Sequence, residues 1–171
     1  MPEMLPVLAS PLSVVLVHPQ IPPNTGNVAR LCAVTGSVLH LVRPLGFSIA
    51  DRDLRRAGLD YWDDLDAHLH EDLAAYEASA PWPRVHLFSA RATRTIWEAD
   101  FRPGDHLVFG SEQHGLPAEL LDRHPDRTVG IPQRPSVRSL NLSTAAGIAL
   151  YEALRQAVGR RSEFGGAPTP G

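Results

Sequence analysis

Lysine is absent: all 16 basic residues of the 171-residue chain are arginine. That excludes every lysine-based chemistry, including the phosphate-cradling GxxxxGK[ST] loop. Cysteine is almost absent. Cys32 stands alone, so no intrachain disulfide can form and a cysteine-based zinc site would lack its second thiolate. This cysteine usage points to a cytoplasmic protein. No apolar run approaches the roughly 18 residues of a membrane span. Met1-Pro2-Glu3-Met4-Leu5 lacks the charged start and apolar middle of a signal peptide. The motifs GxGxxG, HExxH and GxSxG are missing as well. Asp100 and Asp105 have no evident carboxylate partner, so paired-carboxylate hydrolysis has no support.

What is present suits one globular domain. Hydrophobic residues make up 43% of the chain and charged residues 20%, enough to build a core. We expect the domain over residues 1–158 and a disordered Gly/Pro-rich tail over 159–171. The net charge is −3, but it is unevenly laid out. Residues 57–83 hold seven acids (Asp60, Asp63, Asp64, Asp66, Glu71, Asp72, Glu77) and no arginine, which leaves 16 arginines against 12 acids elsewhere. This is either an ordinary solvated helix face or a lobe turned away from an anionic partner. His68-Leu69-His70-Glu71 lies in that acidic stretch and reads as surface histidines rather than a metal site. No metal is expected.

Periodicity divides the chain into alternating strands and helices. Strands are expected at Ser13–His18, Val38–Val42, Arg84–Ser89, Asp105–Gly110 and Thr128–Ile131. Pro22-Pro23 is expected to delay the first helix, with Asn24 or Thr25 as its cap and Gly36 as its stop. Its apolar face carries Val28, Leu31, Cys32 and Thr35. Further helices are expected near Asp53–Ala57, near Glu71–Ala78, from Gly115-Leu116-Pro117 to about Asp122, and from Asn141 to about Val158. The last buries Leu142, Ala146, Ala149, Leu150 and Ala153 along one face. Such alternation implies an α/β domain with a mostly parallel sheet and helices on both faces, with ligands beyond the C-terminal strand ends.

Three loops at those ends carry unusual chemistry. The first is Asn24-Thr25-Gly26-Asn27-Val28-Ala29-Arg30, where Arg30 lies off the apolar helix stripe. In the second, Phe109-Gly110-Ser111-Glu112-Gln113-His114-Gly115-Leu116-Pro117, two glycines bracket a glutamate directly after a strand. The third, Ile131-Pro132-Gln133-Arg134-Pro135-Ser136-Val137-Arg138-Ser139-Leu140-Asn141-Leu142-Ser143, is stiffened by proline and capped into a helix by Ser139 or Asn141. Each also reads as a plain turn or cap when taken alone.

Taken together, in this order, these segments resemble the three motifs of the SPOUT class of RNA methyltransferases, SpoU branch. Asn24-x-Gly26-Asn27-x-x-Arg30 resembles motif 1, Phe109-Gly110-x-Glu112-x-x-Gly115-Leu116-Pro117 motif 2, and Ile131-Pro132 with Arg138-Ser139-Leu140-Asn141-Leu142-Ser143 motif 3. Ile21–Asn27, Arg30–Ala33 and Leu54–Tyr61 are similar to the minimal TrmL-type subfamily. The resemblance spans about Val14 to Val158. Against the motifs of close relatives, Ser111 and Gln113-His114 stand in motif 2, and Val137 and Thr144 in motif 3.

The resemblance implies a SPOUT fold whose C-terminal segment forms a deep trefoil knot, an exception to the rule that chains avoid knots. It implies S-adenosyl-L-methionine as cofactor, contacted by Phe88, Gly110, Glu112, Ile131, Ser139 and Leu140, much of it through backbone. The implied catalytic set is Arg30, Asn141 and Ser139. Asn24, Asn27, Arg134 and Arg138 are candidate RNA contacts. The implied reaction is 2′-O-methylation of cytidine or uridine 34, the wobble nucleotide, in the anticodon stem-loop of tRNA, by a homodimer that uses neither membrane nor DNA. The alternatives are another tRNA or rRNA nucleotide, a non-catalytic RNA-binding protein of the same fold, and a generic nucleotide-dependent α/β enzyme.

Overall fold

The computed structural model describes residues 4–49, 64–135 and 138–164. The helix expected near Asp53–Ala57 and the Leu54–Tyr61 stretch lie outside the described residues. In chain order the elements are β1 (Ser13–Val17), α1 (Pro22–Thr35), β2 (Val38–Val42), β3 (Ala67–His70), α2 (Leu73–Ser79), β4 (Val85–Phe88), β5 (His106–Phe109), α3 (Ala118–Arg123), β6 (Thr128–Val129) and α4 (Leu142–Phe164).

The strands form one six-stranded sheet in the order β3-β2-β1-β5-β4-β6. Every pairing between them is parallel. The Ser-Val-Val-Leu-Val sequence of β1 is buried throughout, as a central parallel strand with both faces covered should be. Its side chains alternate between two cores. Val14 and Leu16 join Val28, Ala29 and Cys32 of α1 and Ala146, Ala149, Leu150 and Ala153 of α4. Val15 and Val17 join Tyr76 of α2 and Leu120 of α3 on the other face. Burial pushes the Cys32 thiol up to about 12, so it stays protonated.

Three elements differ from expectation. The first helix starts at Pro22, with its two prolines in the first turn and Ile21 as a cap that makes no side-chain bond. Proline has no N–H to lose there and its φ is already helical, so Pro22-Pro23 begins the helix instead of delaying it. A strand, β3, lies within the acidic stretch, where the sequence shows polar alternation rather than an apolar run. The last helix continues through Phe164, so residues 159–164 of the expected tail are helical.

The two histidines of the acidic stretch sit on the edge strand β3, His70 half-buried. His68 is exposed and lies 2.8 Å from Asp66. His70 Nε2 lies 2.9 Å from His40 Nδ1, and Tyr76 Oη lies 3.0 Å from His106 Nδ1. Burial, reinforced by the neighbouring imidazoles, pushes His40 down to about 3. Burial likewise takes His106 down to about 4, against a smaller upward pull from Asp105. Among the described residues, no group of three histidine, cysteine or acidic side chains is arranged to hold a metal. No helix among them is long and apolar enough to cross a membrane.

At the N-terminal end of the sheet sits a buried ion cluster. Asp105 accepts from Arg84 Nε at 2.7 Å and Arg84 Nη2 at 2.6 Å. It also accepts from His86 Nε2 at 2.7 Å and from the Arg102 amide at 2.9 Å. Burial alone would raise its pKa, but these donors hold it below the usual carboxylate range. Asp105 therefore needs no second carboxylate; it is matched to the Arg84 guanidinium.

Candidate active site

The strand order turns around between β1 and β5, because the chain moves outward from β1 to β2 and β3 and later returns to β5. In parallel sheets such a reversal opens a crevice at the C-terminal strand ends. The loops after β1 and β5 meet there on one side chain. Glu112 accepts from the amide of Gln20 at 2.8 Å, the amide of Ile21 at 3.0 Å and Asn24 Nδ2 at 3.3 Å. His18 closes β1 with a φ of 53°, a left-handed value that is strained for a non-glycine residue. That bend turns the chain so that two successive amides face Glu112.

Gly110 and Gly115 explain how Glu112 reaches them. The loop folds back on itself, with Gly115 N donating to Ser111 O at 2.9 Å. A Cβ on Gly110 would fall 1.9 Å from Gly115 C and 2.0 Å from Leu116 N, so only glycine fits. Gly115 has a φ of 68°, the left-handed region that glycine enters freely. The paired glycines thus build a tight hairpin-like loop with Glu112 in the middle.

The third loop joins through Asn141. Its Nδ2 donates to Asn24 Oδ1 at 2.9 Å. Its Oδ1 accepts from Ser143 N at 2.9 Å and Thr144 N at 3.3 Å, which caps α4. Asn141, not Ser139, is therefore the cap. One polar chain, Glu112–Asn24–Asn141, links the start of α1, the loop after β5 and the start of α4.

This chain changes the reading of Asn24. Expected among the RNA-facing residues, it is only 5% exposed. Its amide is engaged on both sides, so it builds the site rather than meeting a substrate. Glu112 likewise has three donors on its carboxylate, which leaves little capacity for a ligand. The Phe88 ring is in the core, stacked 4.5 Å from Phe109 and 6.5 Å from Phe101 between ring centroids. Only its backbone is left for a cofactor contact. Asn27 and Arg30 are exposed together on one face of α1.

Ile131, Arg134, Arg138 and Leu140 come together around a cleft of about 410 Å³. Gln133 closes the loop by accepting from Leu140 N at 3.2 Å. Ser139 is exposed between Arg138 and Leu140. The cleft also contains Ile96 and Trp97, which sequence reasoning missed. Both follow β4 in a segment without periodicity or motif, so nothing local marks them. Gln20 and Ile21 were missed for another reason: they act through backbone amides, which any residue supplies.

Comparison with known proteins gives a consistent result. Residues 11–151 match the SpoU rRNA Methylase family. The tRNA (cytidine(34)-2'-O)-methyltransferase of Burkholderia ambifaria is 50% identical over 148 residues, 85% of this chain and 95% of that protein. A solved structure described as giving insights into the 2-OH methylation of C/U34 on tRNA shares 51% identity and a TM-score of 0.83, covering 88% of this chain and 99% of that one. The SpoU methyltransferase AviRb from Streptomyces viridochromogenes, in complex with AdoMet, is 25% identical with a TM-score of 0.71, covering 90% of this chain and 60% of its own.

Proposed function

The chain belongs to the SpoU rRNA methylase family, and on that premise we propose that it methylates the ribose 2′-oxygen of the wobble nucleotide, position 34, of tRNA. The observation that carries this reading is the polar chain Glu112–Asn24–Asn141, which joins the three motif segments in one site. Relatives at about half identity over 85% of the chain act on cytidine 34 of tRNA, which favours that nucleotide over an rRNA site.

The enzyme uses S-adenosyl-L-methionine, which supplies a methyl group already activated by a positive sulfur. The residues present fit it. Ile131 and Leu140 offer half-buried apolar walls for it. The backbones of Phe88, Gly110, Ile131, Ser139 and Leu140 would hold the cofactor. What remains for the chain is to align the ribose and assist loss of the 2′-hydroxyl proton to solvent water. Arg30 does so from the exposed face of α1. A guanidinium is a cation with five donors and no acceptor, so it orients the ribose oxygen or an adjacent phosphate and stabilises charge developing on that oxygen. Asn27 lies beside it, and Asn141 fixes the start of α4. Arg134 and Arg138 pair with phosphates of the anticodon stem-loop.

Three further features belong to this reading. The C-terminal segment forms the trefoil knot. In support, Gly130 donates to Arg94 O at 2.8 Å and accepts from Ile96 N at 2.9 Å, which ties the segment after β6 to the segment after β4, and α4 then packs on α1. The enzyme is a cytoplasmic homodimer. Exposed Ile148 and Tyr151 on α4 and Val34 on α1 supply an apolar face for the partner. The substrate is tRNA and not DNA, since the reacting 2′-hydroxyl exists only in RNA.

Incubation with methyl-labelled S-adenosyl-L-methionine and deproteinised total RNA tests the reading. Label at the ribose of tRNA position 34 is the expected result. Label in ribosomal RNA or at another tRNA nucleotide overturns the wobble assignment.

A further inference from the structure

Trp97 is the most exposed aromatic side chain among the described residues, 73% accessible, yet it is not isolated on the surface. It forms one wall of the cleft of about 410 Å³ that also contains Ile96, Ile131, Leu140, Arg134 and Arg138. Its lining is mostly apolar and includes two arginines. Glu98, the nearest acid in sequence, is turned away: its carboxylate accepts from Thr95 N at 2.7 Å and Thr95 Oγ1 at 2.9 Å.

We propose that Trp97 is the stacking platform for the base of the nucleotide whose ribose is methylated. This rests on the methyltransferase reading above and adds to it a residue that the three motifs do not contain. The chemistry matches on three counts. A flat indole beside apolar walls offers a π-face that any base can cover. Flanking arginines suit the phosphates on either side of a splayed base. A cleft of this size falls in the range of small-ligand sites and has room for one nucleotide. Its position matches as well. Ile131 and Leu140 belong both to the cleft and to the proposed cofactor set, so a base held there keeps its ribose next to the methyl donor. A stacking surface accepts cytosine and uracil alike, which suits an enzyme that reads the nucleotide by position rather than by its base edge. Ile148 also lines the cleft and belongs to the proposed dimer face, so a second copy of the chain is the competing occupant.

The test is a cycle of two changes on the full chain. Wild type, Trp97→Ala and Trp97→Phe are titrated with an anticodon stem-loop RNA and with the same RNA lacking the base at position 34. Cofactor affinity and mass by light scattering are measured alongside. Because Trp97 is exposed, the variants fold. Stacking predicts roughly 5- to 100-fold weaker binding of the intact RNA by Trp97→Ala, with recovery in Trp97→Phe. It also predicts no difference between wild type and Trp97→Ala on the abasic RNA, because the partner group is gone. Cofactor affinity and mass stay unchanged. Equal loss on both RNAs overturns the proposal, as does no loss on either. A shift from dimer to monomer mass assigns Trp97 to the second copy, and lost cofactor affinity assigns it to the cofactor wall; either overturns it. A wild-type chain that binds neither RNA removes the parent reading and this proposal together, whereas intact wild-type binding with an unaffected variant removes this one alone.

Discussion

Glu112 and Asp105 flank β5, one three residues past its last strand residue and the other directly before its first. Asp105 is completely buried and its side-chain partners, Arg84 and His86, are charged or chargeable. All the donors to its carboxylate fall within residues 84–102, so that side chain ties one pair of neighbouring strands. Glu112 is half-buried and accepts from neutral donors that are 88 to 92 positions away in sequence. Through Asn24 it reaches Asn141, a further 117 positions along. A buried ion cluster is costly to break, because removing one member strands the others in low dielectric. A cluster of neutral donors around a half-exposed carboxylate costs less to break but sets the relative placement of distant segments. The end of the sheet bearing Asp105 should therefore govern stability, and the end bearing Glu112 should govern activity.

The largest expected effect tests the stability end. Asp105→Asn leaves Arg84 and His86 facing a neutral amide and should lower unfolding free energy by about 3–5 kcal/mol, read from urea melts. The fraction still folded should turn over at the wild-type rate. Equal losses of stability and of rate per folded molecule would erase the contrast.

Arg30→Ala is the counterpart at the activity end. It should slow methyl transfer about a hundredfold or more, with urea midpoint and cofactor affinity unchanged. Single-turnover measurements settle it, and a near-wild-type rate removes Arg30 from the mechanism.

Glu112→Gln is smaller and sharper. The new amide has one acceptor where the carboxylate had two, so an amide at Gln20 or Ile21 loses its partner. Stability should fall by about 1–2 kcal/mol, while the rate drops roughly ten- to a hundredfold through misplaced α1 and α4. A rate loss no larger than that of Asp105→Asn would contradict the division of labour.

The smallest effect at neutral pH concerns the histidines beneath α2. In the unfolded chain these rings protonate near 6.5; in the fold His40 waits until about 3 and His106 until about 4. Between those values the unfolded state binds more protons, so stability falls as pH drops from about 6.5 toward 4. The loss should be shallower in His40→Asn. An unchanged pH slope in urea melts would show that His40 does not contribute.

Much of this site was legible because its residues are few in kind and fixed in spacing. Gly110 and Gly115 around Glu112, and Asn24, Asn27 and Arg30 at a strand–helix junction, stand out in the chain and resemble known motifs. The helix faces were legible too, since Val28 and Cys32 or Ala146, Leu150 and Ala153 repeat at helical spacing and are buried as expected. The roles within the site were not. Asn24 looks like a free amide in sequence and is buried between two partners in the fold. Trp97 belongs to the cleft but sits in a segment with no pattern. Strand β3 was missed because it is an edge strand whose alternation is carried by histidines rather than aliphatic residues.

The sequence by itself determined the class of fold and the three segments that meet, because periodicity and turn chemistry are local properties of a chain. It also determined what the site does not use, since a chain without lysine and with one cysteine closes those chemistries whatever its shape. The tertiary structure decided which residues face a ligand and which hold the others in place. That depends on where β1 and β5 part in the sheet, on the left-handed turn at His18, and on whether a polar group is matched by a donor about a hundred residues away. Burial and hydrogen-bond satisfaction belong to the packed molecule, so they can be read only once distant segments are in contact.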